Sequence, residues 1–234
     1  MTMIISAHLG DCILIAADKR AMFCDTATGT MQRAHDDEPK IKLWCRGAFA
    51  GTGETVFINR VAHYFTSLDQ HEQQLRQMDI IHNEIEKRIS EGVPENFLLN
   101  NHIVFSIYEG NKTFLYSIPI KPFLQYFEKN RVQMISPLMK EIKPWVIDLS
   151  CFIVPADMRC LQDFQRALKP LKSFATEQEF LDFYIQNLKQ IFAIQAAIDP
   201  SITTSFDLYI QSCHTGQSIA LHVPNHILPP THRQ

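Results

Sequence analysis

Residues 2–20, TMIISAHLGDCILIAADKR, decide how the fold begins. Two apolar runs, residues 3–8 and 12–18, are separated by Leu9, Gly10 and Asp11. Short apolar runs joined by turn-forming residues are typical of a β-hairpin. The chain is therefore expected to start with two paired strands, preceded directly by a threonine at position 2.

The pattern after this hairpin alternates between strand and helix periods. A capping box, Thr176 to Glu179, predicts the start of one long helix. In chain order, the sequence predicts a second hairpin at 41–50, helices at 57–68 and 73–91, strands between 101 and 154, helices at 156–170 and 176–197, and a last hairpin at 206–223. Two antiparallel sheets packed face to face, with a helix pair on each outer side, would cover every apolar stripe. The predicted fold is thus α+β, a four-layer αββα sandwich.

The length of the chain fits one domain of generous size or two small ones. The chain has 234 residues, of which 46% are hydrophobic, and no composition break divides it. We therefore expect a single domain over 1–234, with 225–234 as an irregular tail. The formal charge of -3 carries no basic footprint for nucleic acid. The expected partners are peptides, small molecules or further copies of the chain.

The cysteine spacing and the hydropathy pattern point to the cytoplasm. Six cysteines occur without a C-x-x-C pair, and several stand inside apolar runs, as reduced core residues do. No apolar run approaches membrane-spanning length, and no signal peptide pattern precedes the first strand. We expect a soluble cytoplasmic protein that acts neither on a membrane nor on nucleic acid.

Four stretches resemble the N-terminal-nucleophile (Ntn) hydrolases of the proteasome β-subunit type, including their bacterial homologues. They are Thr2 followed by MIIS, ILIAADKRA with Asp18 and Arg20, PKIKLW with Lys40, and AFAGTGE with Gly51. Each stands in the family's order and near its spacing. The resemblance implies the same αββα fold that the hydropathy pattern predicts, and a homo-oligomer built as a ring or an open spiral.

The resemblance also implies a mechanism centred on Thr2. Once Met1 is removed, the free α-amino group, with a pKa of about 7.7–8.0, can accept the proton of the threonine hydroxyl. Lys40 would favour deprotonation of that hydroxyl, and Asp18 would hold the lysine ammonium. The expected activity is that of a threonine peptidase or amidohydrolase, which needs no cofactor.

Further site residues follow from the same resemblance. Gly51 is expected to direct its backbone N–H at the developing oxyanion. Asp199 matches a second aspartate, with Ser201 or a nearby hydroxyl as its partner, and Arg20 is interpreted as a loop-orienting charge. Met22, Met31 and Cys45 suggest a mixed apolar substrate pocket.

Alternative interpretations remain open at this point. Asp18 and Lys40 could form a purely structural ion pair. The serine-and-glycine segment that typical members carry before their third helix is missing, which favours a non-catalytic assembly or binding subunit. An acyl-enzyme could also be resolved by an amine, as in a ligase or transpeptidase. A metal site is not expected, because Pro224 prevents a regular helix between His222 and His226.

Overall fold

The computed structural model of the chain describes residues 2–24, 30–67, 77–121, 139–151 and 158–226. Its strands are β1 (Ile4–His8), β2 (Cys12–Asp18), β3 (Ala21–Cys24), β4 (Met31–His35), β5 (Ile41–Trp44), β6 (Gly47–Thr52), β7 (His102–Glu109), β8 (Lys112–Pro119), β9 (Lys140–Glu141), β10 (Ile147–Ser150), β11 (Phe206–Ser212) and β12 (Ser218–Val223). Its helices are α1 (Thr55–Ser67), α2 (Gln77–Ser90), α3 (Glu95–Leu99), α4 (Arg159–Arg166) and α5 (Glu177–Ile198).

The strands form three antiparallel sheets. The first sheet has the order β10-β1-β2-β11-β12, the second sheet has the order β5-β6-β7-β8-β9, and β3 pairs with β4 alone. The opening hairpin pairs Ile4 with Ala17 and His8 with Ile13. Its turn contains Gly10 at a φ of +89°, a conformation that glycine adopts without steric cost. This register carries Thr2 and Asp18 to the same end of the first sheet.

Each five-stranded sheet packs one face against helices. The first sheet contacts α4 and α5 through one buried cluster, which includes Met3, Ile5, Leu14, Phe164, Tyr184 and Leu188. The second sheet contacts α1 and α2 through another, which includes Phe49, Phe105, Phe57, Val61, Phe65 and Ile81. These side chains follow the periods of two and 3.6 residues that strands and helices impose.

A third buried cluster contains residues of both five-stranded sheets. Its members include Ile4, Ile13 and Ala17 from the first sheet and Ala48, Ala50 and Val104 from the second. The mixed α+β class with antiparallel sheets is thus confirmed. The four-layer αββα sandwich and the single domain over 1–234 are finer statements and stay predictions.

Several predicted elements differ from the observed ones. The β3–β4 hairpin and α3 were not expected, and the helix predicted at 156–170 is shorter, Arg159–Arg166. Pro170 is followed by a short 3-10 turn instead. A strand predicted near residues 131–135 and most of the 225–234 tail lie outside the described residues.

The long helix α5 begins as the capping box predicts. Thr176 Oγ1 accepts the N–H of Glu179 at 3.1 Å. The Glu179 carboxylate accepts the N–H of Ala175 at 3.1 Å, one residue before the position that the motif predicts. The helix runs 22 residues and delivers Asp199, directly after its end, to the segment that leads into β11.

Candidate active site

The carboxylate of Asp18, at the end of β2, is the centre of the site. It is fully buried. Oδ1 accepts the Met3 N–H at 2.8 Å and the Lys40 ammonium at 2.9 Å. Oδ2 accepts the N–H of Arg20 at 2.8 Å and, more weakly, that of Thr203 at 3.4 Å. Asp18 therefore fixes Lys40 against the peptide group that directly follows Thr2.

Lys40 stands immediately before β5, in a position that water hardly reaches. Its side chain is 7% exposed. Burial lowers the pKa of Lys40 from its usual value, while the charge of Asp18 and its hydrogen bond act in the opposite direction. A cation held in this way can shift the proton equilibria of neighbouring groups.

A small cavity brings Thr2 together with Lys40 and Gly51. Its volume is about 50 Å³. Its wall is formed by the segment before β1, the β2–β3 and β4–β5 connections, β3, β5, β6, the turn after β6, and α1. The lining residues are Thr2, Arg20, Ala21, Met22, Glu38, Pro39, Lys40, Lys42, Gly51, Gly53, Thr55, Ile58 and Asn59. Thr2 itself is buried. A threonine, a lysine and a glycine thus line one cavity.

Gly51 lies in β6, opposite Ile103 of β7, where a side chain could not be accommodated without movement. A Cβ atom placed on Gly51 would come within 2.6 Å of the Ile58 side chain of α1. Glycine at this position therefore allows α1 to pack directly over the strand beside the cavity.

Asp199 is buried and does not line the cavity around Thr2. Its Oδ1 accepts the N–H of Ser201 at 2.9 Å and the Ser201 hydroxyl at 2.6 Å. Two residues later, Thr203 directs its own N–H at Asp18. The Asp199–Ser201 pair therefore shapes the segment that reaches the central carboxylate from α5.

Arg20 holds two segments together at the edge of the site. Its guanidinium binds the Asp36 carboxylate through two bonds, at 2.7 and 3.0 Å, and the carbonyl of Pro200 at 2.5 Å. The bond to Asp36 raises the pKa of Arg20 and lowers the pKa of Asp36. These contacts orient the β3–β4 hairpin relative to the segment after α5.

The three residues suggested for a substrate pocket are not placed together. Met22 lines the cavity beside Thr2. Met31 is exposed on β4, and Cys45 is exposed in the β5–β6 turn; neither lines the cavity. The hairpin register pairs Trp44 with Gly47, which puts Cys45 at the opposite end of the hairpin from Gly51.

Sequence reasoning did not single out Thr203, Glu38, Lys42 or Asn59 as site residues. Thr203 is 185 positions from the carboxylate that it contacts. The other three carry no local motif. A strand period could only have indicated that Lys42, two positions after Lys40, points to the same side of the chain.

Comparison with known proteins finds likeness in structure alone. No protein family is matched by the sequence, and no curated protein matches it. A solved structure of Anbu from Hyphomicrobium sp. strain MC1 superposes with a TM-score of 0.56 over 94% of this chain and 87% of that one. The fold resembles that of Anbu. A Gly-1 mutant of Anbu from the same organism gives a TM-score of 0.55, over 95% of this chain and 88% of that one.

The likeness to Anbu concerns the fold. Sequence identity is 12% and 13% in the two comparisons, too low to carry over an activity. Within the described ranges, no group of three histidine, cysteine, aspartate or glutamate side chains is arranged to hold a metal ion. None of the described helices combines the length and the apolar character that crossing a bilayer requires.

Proposed function

We propose that this protein is a threonine-type Ntn amidohydrolase that cleaves peptide or related amide bonds through an acyl-enzyme on Thr2, after removal of Met1. One observation carries the proposal. A single oxygen of Asp18 binds both the Lys40 ammonium and the N–H that directly follows Thr2. An ion pair with a purely structural role would not need a hydroxyl residue in the adjoining cavity.

The proposed reaction uses groups of this chain only. Thr2 Oγ attacks the substrate carbonyl carbon, and its proton passes to the free α-amino group of the same residue. The Gly51 N–H donates to the oxyanion that forms. When the tetrahedral intermediate collapses, the C–N bond breaks and the leaving amine takes the proton. Water then hydrolyses the ester and restores the Thr2 hydroxyl.

The electrostatics support this division of roles. The positive charge of Lys40 favours the alkoxide of Thr2 and disfavours protonation of its amine. Asp18 holds the lysine in place and remains satisfied by three backbone N–H donors. In this proposal Asp199 and Ser201 support the site through the segment that carries Thr203, and do not touch the substrate.

The architecture and the assembly belong to the same proposal. The three buried clusters support a four-layer αββα sandwich formed by one domain. We propose further that the protein acts in the cytoplasm as a homo-oligomer, a ring or an open spiral, without a cofactor.

The test is the intact mass of the purified protein after incubation with a peptide epoxyketone, a reagent that needs both a free amine and a hydroxyl on the first residue. Loss of Met1 together with one adduct per chain is expected. Thr2→Ala should form no adduct, whereas Thr66→Ala, a matched change on the exposed side of α1, should react like the wild type. If Thr2→Ala loses Met1 and still forms an adduct, the proposal is contradicted.

The size of the cavity favours one second candidate, a non-catalytic assembly or binding subunit. About 50 Å³ is small beside the roughly 300–1,000 Å³ of ordinary ligand pockets. Retained Met1 and no adduct would select this candidate. If an adduct forms, product analysis with an added amine acceptor separates hydrolysis from the acyl transfer of a ligase or transpeptidase.

A further inference from the structure

We propose that Asn101 is a positioning residue of the reaction: its side chain fixes the turn Gly53–Glu54 that follows β6, and through it Gly51 in the wall of the cavity around Thr2. The inference rests on the proposed function. It concerns a residue that precedes β7 and lies outside the wall of the cavity.

The Asn101 side chain is buried, and both of its polar atoms are bonded. Its Oδ1 accepts the N–H of Glu54 at 2.6 Å. Its Nδ2 donates to the carbonyls of Phe97 at 3.0 Å and Leu98 at 2.6 Å. The carboxamide therefore joins the end of α3 to the turn before α1. Because its donors and its acceptor are all occupied, it has one preferred orientation.

Gly53 shows how closely the carboxamide approaches the turn. Its φ is +118°, a backbone conformation that side chains disfavour. A Cβ atom on Gly53 would lie 2.0 Å from Asn101 Oδ1. The turn is therefore shaped around the Asn101 side chain, with no space for a shift in that direction.

Glu54 transmits this constraint to α1. Its carboxylate accepts the N–H groups of Val56 at 3.1 Å and Phe57 at 2.7 Å, which caps the helix. Its carbonyl accepts the N–H of Ile58 at 3.0 Å. The Ile58 side chain in turn covers Gly51. A movement of Glu54 would thus displace Gly51 by two routes: through the chain between them, and through the Ile58 side chain of α1.

Helix α2 braces the same turn from outside. Arg88 binds the Glu54 carboxylate at 3.1 Å to each oxygen and also pairs with Glu91. Arg60 of α1 binds Glu91 at 2.7 Å and the buried Glu84 at 3.1 Å. Of these charged groups, Arg88 holds the Glu54 carboxylate, whereas Asn101 holds the Glu54 backbone N–H. Gly51 and Thr52 pair with β7 directly, and Asn101 extends this attachment past the end of β6 to Glu54.

An oxyanion donor must stand close to 3 Å from the oxygen that it stabilises, and misplacement by about 1 Å can reduce a rate by roughly 10²-fold. Asn101 touches neither Thr2 nor the cavity, so its loss should act on the rate of the chemical step. Binding of the reagent should change little, since no side chain of the cavity wall is removed.

The experiment compares the wild type with Asn101→Ala, Asn101→Asp and the control Asn187→Ala. Asn187 is also an asparagine that donates to a backbone carbonyl, that of Phe183, but it lies on α5. For each protein, the first-order inactivation constant and the apparent affinity of the peptide epoxyketone are measured. Hydrogen exchange of residues 51–54 is followed by mass spectrometry, and folding is checked by circular dichroism.

Asn101→Ala should lower the inactivation constant by about 10- to 100-fold, leave the apparent affinity within about twofold, and speed exchange at residues 51–54. Asn101→Asp keeps an oxygen acceptor for the Glu54 N–H, but its second oxygen cannot donate to the Phe97 and Leu98 carbonyls, so it should recover only part of the rate. If Asn101→Ala does not fold, Asn101→Asp still decides: an unchanged inactivation constant together with faster exchange at residues 51–54 would contradict the positioning role.

Faster exchange without a slower inactivation step would overturn the inference, as would an unchanged turn in Asn101→Ala. Failure of the proposed function would look different. Wild-type protein that has lost Met1 and forms no adduct would remove the reaction itself, and with it any catalytic role for Asn101, whatever the exchange rates show.

Discussion

Lys40 and the N–H of Met3 share one carboxylate oxygen of Asp18, at 2.9 and 2.8 Å. The position of the lysine charge is therefore tied to the chain at the residue after Thr2, and not to Thr2 itself. Removal of Met1 would leave both bonds in place. The charged part of the site can exist before the amine is released.

Replacing Lys40 with methionine should separate the chemical and structural roles of this pair. Adduct formation with the epoxyketone is expected to fall by about 10²-fold or more, because the proton transfer loses its supporting charge. Removal of one partner of a buried pair costs about 3–5 kcal/mol. We expect a loss of stability at the lower end of this range, since Asp18 keeps three backbone donors. Urea unfolding and intact mass measure the two effects.

A matched control for this change is Lys19→Met. Lys19 binds Asp207 at 3.2 Å in a pair that is partly exposed, and Asp207 also contacts His222. Its removal should cost about 1 kcal/mol or less and leave adduct formation unchanged. Equal loss of adduct in both variants would show that Lys40 acts through stability alone.

The rate of epoxyketone inactivation should depend on pH with two limbs. With increasing pH, the rate first rises as the Thr2 amine loses its proton. This acid limb should lie below the usual α-amino pKa of about 7.7–8.0, because the Lys40 charge disfavours the ammonium form. The rate falls again when Lys40 becomes neutral. Since burial lowers the pKa of Lys40, this alkaline limb should lie below 10.5.

The inactivation constant measured between pH 6 and pH 11, with circular dichroism as a check on folding, tests this profile. Lys40→Arg keeps a cation that stays charged throughout the range, so the alkaline limb should disappear. A wild-type rate that stays level up to pH 11 would argue against any role for the Lys40 charge.

His102 should make the protein less stable in mild acid. Its ring lies 2.6 Å from Ser117 Oγ and 3.5 Å from Asp148 Oδ2. Burial lowers the pKa of His102 below 6.5, and the charge of Asp148 opposes this only in part. The unfolded chain then binds the proton more readily, so the free energy of unfolding falls as the pH drops below about 6.5. It levels off once the folded protein is also protonated.

His102→Gln should flatten this part of the stability curve, measured by urea unfolding at several pH values. The free energy of unfolding should then change less steeply with pH, by at most about 1.4 kcal/mol per pH unit for one proton. A residual slope is expected from His8, whose pKa burial also lowers. His63→Gln, a change on the exposed face of α1, should follow the wild-type curve. An unchanged slope in His102→Gln would contradict the prediction.

Two glycines with positive φ provide a direct test of the turn beside Asn101. Gly92, at +86°, has open space where a Cβ would be, whereas the same atom on Gly53, at +118°, would collide with Asn101. Gly92→Ala should cost about 1–2 kcal/mol from backbone strain. Gly53→Ala should cost about 1–3 kcal/mol more, because the carboxamide must move.

Thermal unfolding measures the stability of both glycine variants, and the epoxyketone rate measures the site. Only Gly53→Ala should slow inactivation. Equal effects of the two substitutions on stability and rate would mean that the contact with Asn101 has no consequence.

Local patterns were sufficient to predict much of the secondary structure. The first hairpin, with Gly10 in its turn, and the cap of α5 at Thr176 appear where the sequence predicts them. In both cases the determining contacts lie within a few residues, so the signal is contained in a short window. The hairpin β3–β4 was missed because β4 is exposed along its whole length and shows no alternation.

The residues around the site depended more strongly on long-range pairing. Cys45 was suggested for the substrate pocket, but the β5–β6 register carries it to the opposite end of the hairpin from Gly51. Asn101 gave no signal, since its partner Glu54 lies 47 positions earlier. Hydrogen bonds across such separations depend on the complete fold and leave no period in the sequence.

The four donors on Asp18 also have a consequence for the order in which the chain folds. They come from residues 3, 20, 40 and 203. The first three can assemble from the opening fifth of the chain, whereas the last requires closure of a loop of 185 residues. A nascent chain on the ribosome can therefore gather Lys40 early, but it cannot complete the environment of the Asp18 carboxylate until Thr203 has been synthesised and packed.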